Sequence, residues 1–347
     1  MILKSLFKEI EQFTKPLCSA HLYEKKIDNF KKIEESFLSR DEYCRGLPFQ
    51  IHIEPSGYCN LLCPICPKGR GIIKRKGFLV FDSFEKILKT LSKTLTSIVI
   101  SGFGEPLLNK DTTRMVALAS KHSIATFMNT NGTVLLDHIE KILDARLTKI
   151  NISLDGAITK RIHKYNEKSP FSNVVQAVKF LREKKDKGNY QSPIIQGQFI
   201  ISDETVDEME NLKKWALELG VEKVNFKRKH PTMPDELERK KILTQYNIMK
   251  IIEQEKVDTE ENLNWSQKDC THPWDSFFLS CNGEISVCSF DPYLSNKFGN
   301  VNDDFNSIWN NEKIRMIRKW HSGKDAIMHK PCSKCNRLPG YLKQKDK

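Results

Sequence analysis

The sequence predicts an α/β fold: a partial (β/α)6 barrel of the TIM type, followed by a small cysteine-bearing domain. Three observations carry that expectation. Strand-like and helix-like segments alternate between residues 49 and 228, each early strand ends in a small or polar cluster, and cysteines gather after the first strand and again near the C-terminal end. Serial strand–helix units imply parallel strands joined by helical crossovers, and in such barrels the C-terminal ends of the strands carry the chemistry.

The chain has 347 residues, 39% hydrophobic and 29% charged, which is room for one large or two ordinary domains. No apolar run approaches the ~20 residues of a membrane-spanning helix. Residues 1–45 read as a helical arm: Ile2, Leu3, Leu6, Phe7, Ile10 and Phe13 are interrupted by Lys4, Lys8, Glu9 and Glu11, the pattern of an amphipathic helix and not of a signal peptide. A cytoplasmic location and no membrane partner are expected.

Residues 46–228 form the expected barrel. "FQIHIEPSG" (49–57) alternates Phe49, Ile51 and Ile53 before Pro55 and Gly57 end the run, so the cysteine loop "CNLLCPIC" (59–66) leaves from the strand's C-terminal end. Further strands are expected at 97–102, 125–132, 149–156, 193–202 and 221–227. Helical patterns lie between them, the last ending at Gly220 as a C-cap after an acidic first turn. The strand ends carry Gly102 to Pro106, Asn129 to Gly132 and Ser153 to Gly156. Residues 229–265, charged and without a motif, are expected to link the barrel to a C-terminal domain over 266–340.

Ten cysteines without a secretion signal point to metal or redox chemistry and away from a disulfide framework. Cys59, Cys63 and Cys66 make a C-x3-C-x2-C loop, and three ligands instead of four leave one coordination position open for chemistry. The net charge of +12 is spread along the chain among acidic residues, so it reads as a solvated surface and nucleic acid is not an expected partner. The patch "FKRKHP" (226–231) alone suggests contact with an acidic substrate.

"CNLLCPIC", "SGFGEP", "NTNG" and "NISLDG", each after a successive strand, resemble the radical S-adenosylmethionine (SAM) enzymes over roughly residues 46–228. The resemblance implies that Cys59, Cys63 and Cys66 hold a 4Fe-4S cluster whose open iron is chelated by SAM. Reductive cleavage of SAM would then give methionine and a 5'-deoxyadenosyl radical that abstracts hydrogen from an unactivated carbon, with a flavodoxin- or ferredoxin-type reductant as partner. It also implies that Gly102, Gly104 and Glu105 line the methionine end of SAM and that Ser153 and Asp155 meet its carboxylate or ribose. Asn131 either joins that site or closes a turn. The chain departs from the pattern at Ile65, where many members have an aromatic residue, and at Phe103, which separates two glycines.

"CTHPWDSFFLSCNGEISVC" and the later "PCSKC" resemble the SPASM or twitch auxiliary-cluster domain. Five cysteines stand where a full SPASM domain has seven, which implies one auxiliary 4Fe-4S cluster held by Cys270, Cys288, Cys332 and Cys335; a structural zinc is the rival reading. A β-hairpin turning at Asn282-Gly283 places Cys281 in its first strand, as a buried inert thiol or as a hydrogen donor to a substrate radical. His272, His321 and His329 lack paired ligand spacing and are expected at the surface or in caps.

Relatives with this architecture modify peptides, protein side chains, sugars or aminocyclitols. The arm before Gln50 is too short for a leader-binding winged helix, which favours oxidation or epimerisation of a small polar substrate. A maturase of a peptide or protein side chain, an RNA-modifying radical enzyme and a non-catalytic iron-sulfur scaffold are the alternatives.

Overall fold

The computed structural model describes residues 2–63, 66–155, 170–201, 208–228, 270–323 and 331–335. The N-terminal arm is two helices, α1 (Ile2–Thr14) and α2 (Ala20–Leu38), the second capped by the Ser19 side chain, which accepts from Leu22 N. Phe7 stacks on Phe30 at 4.0 Å and meets Phe49 edge-on at 5.5 Å, while Phe13 meets Phe127 at 5.3 Å. Lys26, fully buried, donates to the carbonyls of Leu95 and Ser123 at 2.6 and 2.8 Å. Leu95, Ser123 and Phe49 all precede strands, so the arm closes the end of the barrel opposite the cysteine loop.

Six parallel strands follow in sequence order: β1 (Gln50–Ile53), β2 (Ser97–Ile100), β3 (Ala125–Thr130), β4 (Lys149–Ser153), β5 (Ile194–Ile201) and β6 (Lys223–Arg228). The crossovers contain α3 (Phe81–Leu91), α4 (Thr112–Lys121), α5 (Ile139–Asp144), α6 (Pro170–Lys187) and α7 (Met209–Leu219). In α3 the buried Phe84, Ile87, Leu88 and Leu91 recur at helical spacing and form the face turned to the core. Gly220 ends α7 at φ +117°, the left-handed C-cap that glycine adopts without a Cβ clash.

Register aligns Ile53, Ile100, Met128, Ile150 and Ile195 into one buried row across the sheet. Period-two alternation then sends Asn129, Asn151 and Gln196, and further along Ser153, Gln198 and Asn225, to the opposite, partly accessible face. The strands end earlier than the sequence suggests, β3 at Thr130 and β4 at Ser153, because turn residues follow: Gly132 has φ +76°.

The C-terminal region extends this sheet. β7 (Ser276–Leu279) lies parallel to β1 with Gln50 opposite Ser276 and Ile53 opposite Leu279, and β8 (Glu284–Ser286) and β9 (Lys297–Asn300) continue antiparallel. The hairpin turn is Ser280 to Gly283, with Gly283 at φ +79°, so Cys281 sits in the turn and not in the first strand as expected. The helix Glu312–Ser322 follows. Its Arg318 is fully buried, donates to Pro273, Trp309 and Glu42 carbonyls, and lies over the Trp309 ring at 4.7 Å. His321, expected at the surface or in a cap, stands in this helix's last turn but is 2% exposed.

Among the described residues no helix is long and apolar enough to cross a membrane. The expected linker 229–265, His329 and the latter half of "FKRKHP" lie outside the described residues.

Candidate active site

The approach to the cysteine loop is fixed on every side. Glu54 N donates to Leu279 O, Leu79 N to Pro55 O, and Gly57 N to Gly77 O; the Asn109 amide spans the carbonyls of Pro55 and Leu79 at 2.8 and 3.0 Å. Glu105 N donates to Tyr58 O at 2.8 Å, joining the turn after β2 to the residue before Cys59. That turn fits only without side chains at its glycines. A Cβ on Gly104 would lie 1.9 Å from Ser56 O and 2.6 Å from Tyr58 O, and one on Gly102 would lie 2.5 Å from the Glu54 side chain.

Glu105 is 2% exposed and its carboxylate accepts from Thr130 Oγ1, Asn131 N and Leu107 N at 2.7, 2.8 and 3.1 Å. Burial raises its carboxyl above the usual range against those three donors. Glu105 therefore brackets the ends of β2 and β3 together. Asn131 closes the turn, its Oδ1 accepting from Thr133 N at 2.9 Å, while its Nδ2 reaches Asn60 Oδ1 at 2.9 Å and Cys59 Sγ at 3.9 Å.

Cys59, Cys63 and Cys66 are near neighbours. The Cys59 thiol is pushed up by burial, then by Glu105 and Cys66; Cys63, although it reaches solvent, is pushed up by desolvation within the loop and by Cys66, Cys59 and Asp155. Asp155 thus stands beside this loop, and its Oδ1 accepts from Ile200 N on β5 at 2.6 Å. Ser153 shares the accessible face with Gln198. Asn151 donates to Asn129 Oδ1 at 2.8 Å, whereas among the described residues Asn151 Oδ1 and Gln198 Oε1 are buried without a hydrogen-bond partner.

A second set of cysteines converges in the C-terminal region. Burial drives Cys270 well above its usual value, with Cys288 and Cys332 adding to it, and Cys332 is pushed up to about 12 by burial and by Cys288 and Cys335. Cys270, Cys288, Cys332 and Cys335 thus lie close together, a donor set suited to iron–sulfur ligation, which neutralises the negative charge thiols accumulate on losing protons. The fifth cysteine stands apart. Cys281, 3% exposed, presses against Gly57, where a Cβ would lie 2.7 Å from its sulfur, and burial and Glu54 push its thiol up to about 12. Among the described residues no three His, Cys, Asp or Glu side chains form a closed cage for a single metal ion.

Two residues that the sequence reading passed over organise the space between the sets. Arg75 holds Glu54 at 2.7 and 3.1 Å and donates to Pro292 O at 2.7 Å, while Glu54 also accepts from Phe103 N at 3.0 Å. A lone glutamate closing an apolar strand was the available signal for Glu54; Arg75 is hidden in the basic run "KRK".

Comparison with known proteins agrees with this geometry. The radical SAM superfamily model matches residues 53–216, and SPASM, an iron-sulfur cluster-binding domain, matches residues 270–336. A GTP 3',8-cyclase of Clostridium botulinum is 27% identical over 179 residues, 50% of this chain and 55% of that protein; one of Klebsiella pneumoniae is 28% identical over 135 residues, 38% and 41%. The chain spans about half the length of the curated relatives it matches. Of solved structures, Streptococcus suis SuiB bound to S-adenosylmethionine superposes with TM-score 0.58 at 17% identity over 84% of this chain and 69% of that one. The structure of anSMEcpe with bound AdoMet and Cp18Cys peptide gives 0.55 at 18% identity over 84% and 86%. These two likenesses show the fold.

Proposed function

Since the chain belongs to the radical SAM superfamily and carries a C-terminal SPASM iron-sulfur domain, we propose that it uses SAM to abstract hydrogen from a small polar substrate of the sugar or aminocyclitol kind, giving oxidation or epimerisation. In this reading Cys59, Cys63 and Cys66 hold the SAM-binding 4Fe-4S cluster, and Cys270, Cys288, Cys332 and Cys335 hold one auxiliary 4Fe-4S cluster. The observation that carries it is the convergence of that second set of four thiols, apart from Cys281. When bound, the first cluster with SAM supplies a carbon-centred oxidant, and the auxiliary cluster supplies a one-electron acceptor suited to oxidation.

The chain's own residues bind and orient. Gly102 and Gly104 let the turn after β2 lie against β1 with its carbonyls available to an ammonium group, and Glu105 fixes that turn with its carboxylate turned inward. Asn131 steadies the cysteine loop through Asn60 and Cys59. Ser153, on the half-buried face opposite Gln198, and Asp155, beside Cys63, suit the carboxylate or ribose of SAM. The unpartnered acceptors of Asn151 and Gln198 favour a ligand rich in hydroxyl or amine donors. The curated relatives named for GTP chemistry also support a small polar substrate. A flavodoxin- or ferredoxin-type protein is the proposed reductant, and a reducing cytoplasm suits the ten free thiols.

Anaerobic reconstitution with iron, sulfide and SAM tests the reading. We expect about eight irons per chain, about four after Cys59, Cys63 and Cys66 are changed together to Ala, and 5'-deoxyadenosine released only by the former. Cleavage of SAM by the triple variant overturns the assignment. Zinc in place of the second four irons removes the reason for an oxidation. Faster 5'-deoxyadenosine release with a peptide panel than with polyols and aminocyclitols replaces the substrate class by that of a maturase. For Cys281, unchanged turnover in Cys281→Ser excludes a hydrogen-donor role.

A further inference from the structure

Cys332 receives a hydrogen bond that packing does not require. Asn296 Nδ2 lies 3.1 Å from Cys332 Sγ, and Asn296 is 5% exposed. Its backbone is pinned on both sides: Asn296 N donates to Asp291 Oδ2 at 3.1 Å, and Asn296 O accepts from Val287 N at 3.4 Å. Asp291 is itself 1% exposed, and its Oδ1 accepts from Tyr293 N and Ser295 Oγ at 3.1 and 3.4 Å. A buried carboxylate therefore organises the whole loop between β8 and β9, and the amide leaves that loop aimed at the sulfur. Burying an amide and a carboxylate is costly where an apolar loop would pack as well. The arrangement thus gains something other than stability.

We propose that Asn296 is a positioning residue that raises the reduction potential of the cluster held through Cys332, acting through the Cys332 sulfur with Asp291 setting its direction. The proposal rests on the reading that Cys270, Cys288, Cys332 and Cys335 hold an iron–sulfur cluster. One-electron reduction adds negative charge to such a cluster and its thiolates, and an N–H dipole with its positive end at sulfur favours the reduced form. Asn296 is 5% exposed, so the dipole is screened less than one at a surface. A raised potential suits the auxiliary cluster to accepting an electron. Around the cysteine loop the corresponding side-chain contact, Asn131 Nδ2 to Cys59 Sγ, is longer at 3.9 Å.

The test is an anaerobic potentiometric titration of the reconstituted full chain, followed by electron paramagnetic resonance, for wild type, Asn296→Leu and Asn296→Asp. Leu removes the donor at similar volume; Asp removes it at the same shape. We expect both to lower the auxiliary potential, with the reduction equilibrium falling about tenfold, 59 mV for one electron, while the SAM-binding cluster does not move. An unchanged auxiliary potential in either variant that keeps about eight irons overturns the proposal. Loss of the auxiliary irons in both variants overturns it as well, since Asn296 would then be needed for assembly. A wild-type chain that binds only the first four irons overturns instead the underlying reading of the second cysteine set.

Discussion

Arg75 and Glu54 form a two-contact ion pair, Nε to Oε2 at 2.7 Å and Nη2 to Oε1 at 3.1 Å, with side chains 10% and 1% exposed. The pair joins four pieces of chain. Glu54 closes β1, accepts from Phe103 N in the turn after β2, and approaches Cys281 N in the hairpin turn, while Arg75 reaches Pro292 O. Removing one partner of such a pair strands a buried charge.

Arg75→Met is therefore expected to lower stability by about 3 kcal/mol and to loosen the contact between the turn after β2 and the loop at Pro292. Thermal denaturation of the reconstituted protein checks the first effect, and a fall in product formed per 5'-deoxyadenosine released checks the second. A variant as stable and as tightly coupled as wild type contradicts both.

Gly104→Ala should damage the cysteine loop more than its single methyl suggests, because the new Cβ would meet two backbone oxygens, Ser56 O and Tyr58 O. Backbone cannot rotate away as a side chain does. A loss of about 1–3 kcal/mol is expected, together with weaker retention of the first four irons during gel filtration; full iron retention at wild-type stability would show that the turn moves freely.

Lys26 gives stability a defined pH dependence. Burial lowers its pKa to about 8, with Cys18 the titratable neighbour that opposes the shift. Between there and the unfolded value near 10.5 the unfolded chain binds more protons, so this group's contribution makes stability rise with pH across that window. Below about pH 8 both states are charged and the full burial penalty stands. Urea titrations at pH 7, 8.5 and 10 should show wild type gaining on Lys26→Met, by up to about 3 kcal/mol in all; parallel curves would refute the assignment.

Cys281, held near pKa 12, should remain a thiol at neutral pH and resist alkylation, since the thiolate is the nucleophile. Iodoacetamide at pH 8 is expected to label it in the folded, cluster-loaded protein only after denaturant is added. Labelling at the rate of a free surface cysteine would mean that the hairpin turn opens in solution.

What the sequence made legible was local. The six strands show as short apolar alternations stopped by Gly, Asn and Pro, and the cysteine loop as a spacing that survives any packing detail. The pairing of β7 with β1 was not legible, because register between distant segments leaves no mark at either one. Glu54 and Arg75 failed for the same reason: each reads singly as a turn residue or a solvated cation, and only their meeting makes them a joint. Asn296 in "YLSNKFG" looks like loop polarity until its amide is seen beside Cys332. The choice of Cys270, Cys288, Cys332 and Cys335 over Cys281 came from likeness to a motif; burial does not separate them, since Cys281 is the most buried of the five.

The parallel seating of β7 on β1 has a bearing on how the chain reaches its native state. β1 leaves the ribosome before β2 to β6, and its second edge stays without a partner until the hairpin, which follows β6 in the chain, emerges. An apolar strand with an open edge is a template for association with other chains, and contacts this distant in sequence close slowly. Ribosome-bound chains halted after β6 should therefore recruit holding chaperones or aggregate, and release of the finished hairpin should end both.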